Sequence, residues 1–208
     1  MKIVKPSFEI LNNPSGYHIL RLIEMSGRVC YKSESKITTK SAAPFVKGLI
    51  DRGHEAMLEH QSVSVLIVCD RGISHELVRH RLASYAMESQ RYVNYGKGAG
   101  VTFIEPCYWE KRSIEYTAWA RLCTLAEAAY NDLLTFGATP QQARAVLPNS
   151  TKTEIVMTAN LREWRHFFKL RALGITGKPH PQMLEITGPM LEEFKRLIPV
   201  IFDDLEVK

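Results

Sequence analysis

The 208-residue chain has no apolar run that approaches the roughly 18 to 20 residues a membrane span requires; stretches such as Val63 to Cys69 stop well short. A soluble protein without membrane partners is therefore predicted. The opening MKIVKPSFEI has neither an apolar core nor a small-residue cleavage site, which predicts no secretory leader and a cytoplasmic location. Cysteine is scarce: Cys30, Cys69, Cys107 and Cys123 have no CxxC spacing and sit in apolar or helical contexts, so reduced thiols are expected in place of a disulfide framework. No GxGxxG fingerprint is present. His54, His60, His75 and His80 fit neither HExxH nor a Cys/His zinc pattern, and no metal site is predicted. Without repeats, low-complexity tracts or a Pro/Gly/Ser-rich linker, a single domain over residues 1–208 is expected. The charge imbalance is also small. With 27 Lys+Arg against 22 Asp+Glu, the net +5 fits a solvated surface, a nucleic-acid face or sites for small anions equally well.

What is present is an ordinary globular composition, 45% hydrophobic and 24% charged. That argues against disorder. Lys2 to Leu11 reads as β-rich, and Pro14-Ser15-Gly16 marks a turn before a helix over Tyr17 to Tyr31. Helical spacing recurs through Ser41 to Arg52, with Gly53 placed as a C-cap. Ser62 to Asp70 is β-branched and nearly all apolar after its start, the best candidate for a central strand. Further helices are expected over Gly72 to Arg81, Ile114 to Phe136, Thr139 to Leu147, Asn160 to Leu173 and Pro181 to Leu197, the last kinked or broken at Gly188-Pro189. Short strands are expected at VTFI and over Thr153 to Thr158. This irregular interspersion favours an α+β fold over a doubly wound one.

The segment Val78 to Tyr95, VRHRLASYAMESQRYVNY, concentrates the chemistry. It holds Arg79, His80, Arg81 and Arg91, the hydroxyls of Ser84 and Ser89, and three tyrosines. Successive helical side chains fan out by about 100 degrees, so the three adjacent basic residues are expected to reach different ligands or different subunits. Arginine forks recognise phosphate and carboxylate bidentately, and hydroxyls with backbone N–H groups complete an anion cradle. Charge runs are also commonly no more than solvated turns.

Arg79-His80-Arg81, seven residues, then Ser89 resembles the RHR-x7-S signature of the flavin-dependent thymidylate synthases. Gly53-His54-Glu55 with Glu59-His60 resembles the same family's GHE and EH elements. Ala143-Arg144 with Leu147-Pro148 resembles its AR-x-x-LP element, and Asn160-Leu161-Arg162 with Leu170-Arg171 its N-x-R and LR elements, all in the family's order. The resemblance implies a mixed, largely antiparallel central sheet flanked by helices, with a flavin site that is not a Rossmann unit. It implies reductive methylation of dUMP to dTMP, with 5,10-methylenetetrahydrofolate as one-carbon donor and NADPH-reduced FAD as hydride source, in a homotetramer whose sites are shared between subunits.

Carried over by position, the resemblance assigns Glu76, Arg79, Met87, Glu88, Ser89, Gln90, Arg91, Arg144 and Arg171 to dUMP. It assigns His54, Ala56, Arg79, His80, Arg81, Met87, Asn160, Arg162 and His166 to FAD. Arg171 is the expected catalytic residue, because a guanidinium at the uracil ring favours the N3-deprotonated, electron-rich pyrimidine. Ser89 is assigned to binding, since no histidine-acid pair stands beside it in sequence. Trp109, Trp119 and Trp164 are expected mainly to supply core area, and of the three only Trp164, between Asn160 and His166, is placed to lie near the flavin.

The sequence departs from the family pattern in three places: Ala86-Met87 stand where Asn-Glu is common, with Glu88 one residue later; Glu76 replaces a frequent glutamine; and His166 replaces a frequent asparagine. These departures keep open a related flavoenzyme that methylates another pyrimidine nucleotide. A nucleic-acid-binding module using the arginines and tyrosines of Val78 to Tyr95 is the reading from a different class, and the interleaved Glu76 and Glu88 argue against it.

Overall fold

The computed structural model describes residues 1–98 and 100–206. By Cα proximity they form two compact units: residues 1–9, 66–79 and 85–156 in the first, and residues 10–65, 80–84 and 157 onward in the second. A four-stranded sheet has the order β2 (Ser7–Ile10), β3 (Ser62–Asp70), β6 (Lys152–Asn160), β4 (Ala83–Met87). β3 and β6 run antiparallel in one constant register: Leu161 N–H donates to the Gln61 carbonyl and Arg71 N–H to that of Thr151, while the Ser64 and Thr158 hydroxyls meet at 2.8 Å. Val63, Val65, Ile67 and Cys69 on β3, and Thr153, Ile155, Met157 and Ala159 on β6, alternate into the interior. The apolar run over Ser62 to Asp70 is thus an interior strand, as its composition predicts.

In the first unit β1 (Lys2–Val4) pairs in parallel with β5 (Thr102–Ile104). α3 (Arg71–Leu77) starts at Asp70, whose carboxylate caps the Ile73 N–H at 2.6 Å. α4 (Ile114–Thr135) starts where the Ser113 hydroxyl accepts from Tyr116 N–H, and it packs Cys123 and Tyr130 on Val101, Phe103 and Ala143. Gly137, at φ +91°, ends that helix in the conformation glycine adopts most cheaply. α5 (Pro140–Ala143) opens on Thr139, whose N–H donates to Gln142 Oε1 at 2.9 Å.

The second unit contains α1 (Gly16–Val29), α2 (Ala42–Asp51), a 3-10 turn over Glu55–His60, α6 (Leu161–Arg171) and α7 (Pro181–Leu197). α1 buries Ile19, Leu20, Ile23 and Gly27, a helical stripe. α6 buries Trp164, Phe167 and Phe168 against Phe194 of α7 and Phe202, with ring centroids 5.0 to 5.8 Å apart. These aromatic rings meet tilted, stacked or edge to face, the geometries their quadrupoles favour.

Three local expectations are corrected. The helix after β3 stops at Leu77, so Arg79 to Arg81 lie on the turn and extended chain beyond it. Residues 83–87 of the motif segment form an unforeseen strand, β4. α7 runs through Pro189 without a break. Met183, Ile186, Met190, Leu191 and Phe194 bury a continuous face, and that packing outweighs the one hydrogen bond proline cannot donate.

Candidate functional site

In the second unit, α6 carries most of the site. Asn160 is its N-cap, accepting the Glu163 N–H at 2.9 Å, which fixes the first turn and spaces Arg162, His166 and Lys169 along one helical face. That face lines a cavity of about 470 Å³, within the size range of small-molecule sites, together with Glu55, Glu59, Leu82, Asn160 and Glu163. Asn160, Arg162 and His166, scattered over one motif, therefore share a single pocket with the carboxylates of the GHE and EH elements. Arg162 Nη1 donates to Glu59 Oε1 at 2.6 Å, and Lys169 Nζ lies 3.6 Å from Glu55 Oε1. Leu82 is 76% exposed, an aliphatic surface beside these cations. The cavity thus combines two cations, three carboxylates and an apolar wall.

Behind that face Arg165 is 2% exposed. Its guanidinium binds Asp204 bidentately at 2.6 and 2.7 Å, Glu55 at 3.1 Å and the Ile201 carbonyl. Burial opposes ionisation of Asp204, yet the hydrogen bonds and charge of Arg165 hold its carboxyl below the usual range.

His80 and Arg171 meet in the same unit. Arg171 Nε donates to His80 Nε2 at 3.2 Å, and His80 Nδ1 lies 3.3 Å from Glu163 Oε1. His80 is 5% exposed, with its ring edge-on to Phe167. Burial pushes its pKa down to about 4, and the nearby Arg171 and His166 push the same way. The imidazole is neutral at pH 7. Since Nε2 accepts from arginine, Nδ1 carries the proton and donates to Glu163. Burial raises the Glu163 carboxyl above its ordinary value. His54 and Ala56 are exposed on either side of the pocket residue Glu55, and Arg81 is exposed one residue before Leu82.

In the first unit, the candidate nucleotide residues cluster on the chain that follows β4. Ser89 is the hub of a turn: its carbonyl accepts from Tyr92 and Val93 N–H, and its hydroxyl from Arg91 N–H at 3.3 Å. The Arg91 guanidinium lies over the Tyr92 ring at 5.5 Å. Glu88 is held inward, accepting from Tyr95 Oη at 2.5 Å and from Lys152 Nζ at 3.1 Å, while its N–H donates to the Glu154 carbonyl. Its carboxylate therefore anchors the start of the 89–91 loop. Met87 Sδ accepts from Arg71 Nη1 at 3.4 Å. Gln90 is half-buried, Glu76 half-buried on α3, and Arg79 exposed. Arg144 opens a 3-10 turn over Arg144–Val146, and among the described residues no hydrogen bond joins it to the 87–91 loop. Among the described residues, Arg79, Arg81, Arg91 and Arg144 form no ion pair.

Glu163, Lys169, Leu82 and Tyr95 are site residues that sequence reasoning passed over. Lys169 lies seven residues after Arg162, a helical signal that was legible, whereas Glu163 looks like a plain first-turn acid. Trp164 follows the commoner expectation for a buried aromatic. Its ring is fully buried in the aromatic core and its indole N–H donates to the Val63 carbonyl at 3.0 Å, a packing role.

A family model described as thymidylate synthase complementing protein matches residues 17–200. Proteins named flavin-dependent thymidylate synthase from Mycobacterium avium (strain 104) and Mycobacterium marinum are each 38% identical over 207 residues, covering 89% of this chain and 79% of theirs. The Mycobacterium tuberculosis (strain ATCC 25618 / H37Rv) protein of that name is 36% identical over 204 residues, with the same coverage. Among solved structures, the UMP/dUMP methylase PolB from Streptomyces cacaoi bound with 5-Br dUMP superposes with a TM-score of 0.81 at 22% identity, over 98% of this chain and 96% of that one. The likeness to PolB shows the same α+β fold, with an antiparallel sheet flanked by helices. The match over residues 17–200, with these relatives, makes the chain a member of the thymidylate synthase complementing protein family.

Proposed function

We propose that this protein methylates dUMP reductively to dTMP, with FAD as cofactor, 5,10-methylenetetrahydrofolate as one-carbon donor and NADPH as reductant. The observation that carries the reading is the gathering of Asn160, Arg162 and His166 into one cavity with Leu82 and Lys169. A reduced flavin held by these residues would supply the hydride. Arg162 and Lys169 would hold its phosphates, and Leu82 would offer the ring an apolar surface. His54, Ala56 and Arg81 flank these residues in sequence, which supports their assignment to the same ligand.

Every ligand in the reaction is anionic. Arg79, Arg81, Arg91 and Arg144, exposed and without ion pairs among the described residues, are suited to bind such groups. The Ser89 to Arg91 turn would take the nucleotide phosphate and sugar, with Glu88 holding the loop in place and Glu76, Met87 and Gln90 adjoining. Arg171 would stabilise the charge that develops on the pyrimidine. The exposed Ile114, Leu122 and Leu125 of α4, with Phe136 just after it, support subunit contacts in a homotetramer. Residues 1–208 would then act as one functional domain of a cytoplasmic enzyme.

The test is a visible spectrum of the purified protein, followed by product analysis with dUMP and UMP in parallel. A yellow protein that bleaches with NADPH, reoxidises in a dUMP-sensitive way and makes dTMP supports the proposal. A colourless protein that binds neither FAD nor dUMP would sink it, and methylation of UMP alone would move the substrate to the ribonucleotide.

A further inference from the structure

Glu163 was assigned no function by its motif, yet its carboxylate is buried at the first turn of α6, where its backbone N–H is already used by the Asn160 cap. A buried carboxylate is costly unless it meets a donor. The donor here is His80, and the far nitrogen of the same ring accepts from Arg171. The three side chains form one line, carboxylate to imidazole to guanidinium, within a single compact unit.

We propose that Glu163 and His80 are positioning residues for Arg171: the carboxylate fixes the Nδ1–H tautomer of the imidazole, so that Nε2 stays a lone-pair acceptor holding the arginine Nε–H. The proposal deepens the reading of Arg171 as the catalytic residue and rests on it. An arginine side chain has about 2 kcal/mol of rotamer freedom. Anchoring Nε to a buried, neutral ring orients the guanidinium plane before substrate arrives, which is how preorganised charge becomes effective. If the imidazole carried its proton on Nε2, two donors would face each other and the anchor would be lost. Two ring contacts pack the imidazole, Phe167 edge-on at 4.9 Å and the His166 ring at 6.1 Å, and the Arg171 backbone is held where its carbonyl accepts from Thr187 Oγ1 at 2.8 Å. None of these contacts selects a tautomer. Only Glu163 does.

The test uses the full chain with its flavin. Histidine-selective 15N NMR, with the His80 signal identified by its loss in His80→Gln, reads the tautomer directly. The expected wild-type pattern is a protonated Nδ1 and a bare Nε2. In Glu163→Gln a mixture of tautomers is expected. Turnover should fall roughly 10- to 100-fold, the range a misplaced catalytic group produces, with kcat changed more than KM for dUMP. Glu163→Asp, which keeps the carboxylate on a shorter stem, should recover part of the rate. Glu163→Gln placed on Arg171→Ala should add no further loss, because the two act through one guanidinium. A wild-type His80 protonated on Nε2, or a Glu163→Gln protein with full turnover, overturns the proposal even where Arg171→Ala is inactive. Full turnover in Arg171→Ala instead removes the catalytic reading of Arg171, and the NMR pattern still decides whether Glu163 fixes the ring.

Discussion

Replacing His80 with glutamine should flatten the acid limb of the protein's stability curve. The folded imidazole has a pKa of about 4 against an ordinary 6.5, chiefly because burial disfavours its charged form. Above pH 6.5 both folded and unfolded chains leave it neutral, and it contributes no pH dependence. As pH falls from 6.5 towards 4, the unfolded chain takes up a proton that the folded chain refuses, so unfolding becomes easier. Over that window the linkage removes about 3 kcal/mol, a substantial part of an ordinary domain's stability. Glu163, Arg171 and His166 are the charged or titratable groups around the ring. The raised Glu163 carboxyl works in the opposite direction but is present in both proteins, so the difference between them isolates the histidine. Urea unfolding followed by tryptophan fluorescence, at intervals from pH 7.5 to 4.5, provides the measurement. At neutral pH the glutamine variant should be less stable by about 1 to 3 kcal/mol, from impaired hydrogen bonding to Glu163 and Arg171. The two curves should then converge or cross as the solution is acidified. Parallel curves would refute the reasoning, since they would mean that His80 takes its proton at the same pH folded and unfolded.

Two further outcomes concern the scaffold. Arg165→Ala should cost about 3 to 5 kcal/mol in chemical denaturation, because it strands the carboxylates of Glu55 and Asp204 and the Ile201 carbonyl. Asp204→Asn should cost only about 1 kcal/mol, as that side chain is 48% exposed; equal losses for the two variants would contradict the picture. Gly16→Ala would place a methyl group 2.6 Å from the Leu197 carbonyl oxygen and 2.9 Å from Pro199 Cδ. It should lower stability by about 1 to 3 kcal/mol, and an unchanged thermal midpoint would show that this end of α7 yields freely.

Much of the fold was legible because period and caps are local. β3 matches its predicted span residue for residue, and α4 closes at Gly137 as its sequence indicates. The misreadings occurred where long-range packing decides. Pro189 reads as a break, but a buried face in register on both sides keeps α7 continuous. β4 was hidden because ASYAM has no apolar alternation of its own; it is a strand only because β6 offers it an edge.

For the site, the family resemblance already pointed to Asn160, Arg162, His166, His80 and Arg171, and the arginine-rich segment was compatible with anionic ligands as well as with a solvated turn. Helical geometry would also have added Lys169. Sequence could not show that Glu163, 83 residues from His80, lies 3.3 Å from it, or that His80 is neutral, because burial and partners exist only in the folded chain. The modest net charge of +5 likewise said little until folding sorted the arginines. Arg165 is buried and compensated, Arg162 is paired with Glu59, and Arg79, Arg81, Arg91 and Arg144 remain exposed without ion pairs among the described residues. The amino-acid order determined which groups were available and on which helical or strand face. The tertiary structure decided which of them lost water and which met a partner, and desolvation with hydrogen bonding is what turns a listed side chain into a group of defined charge and orientation.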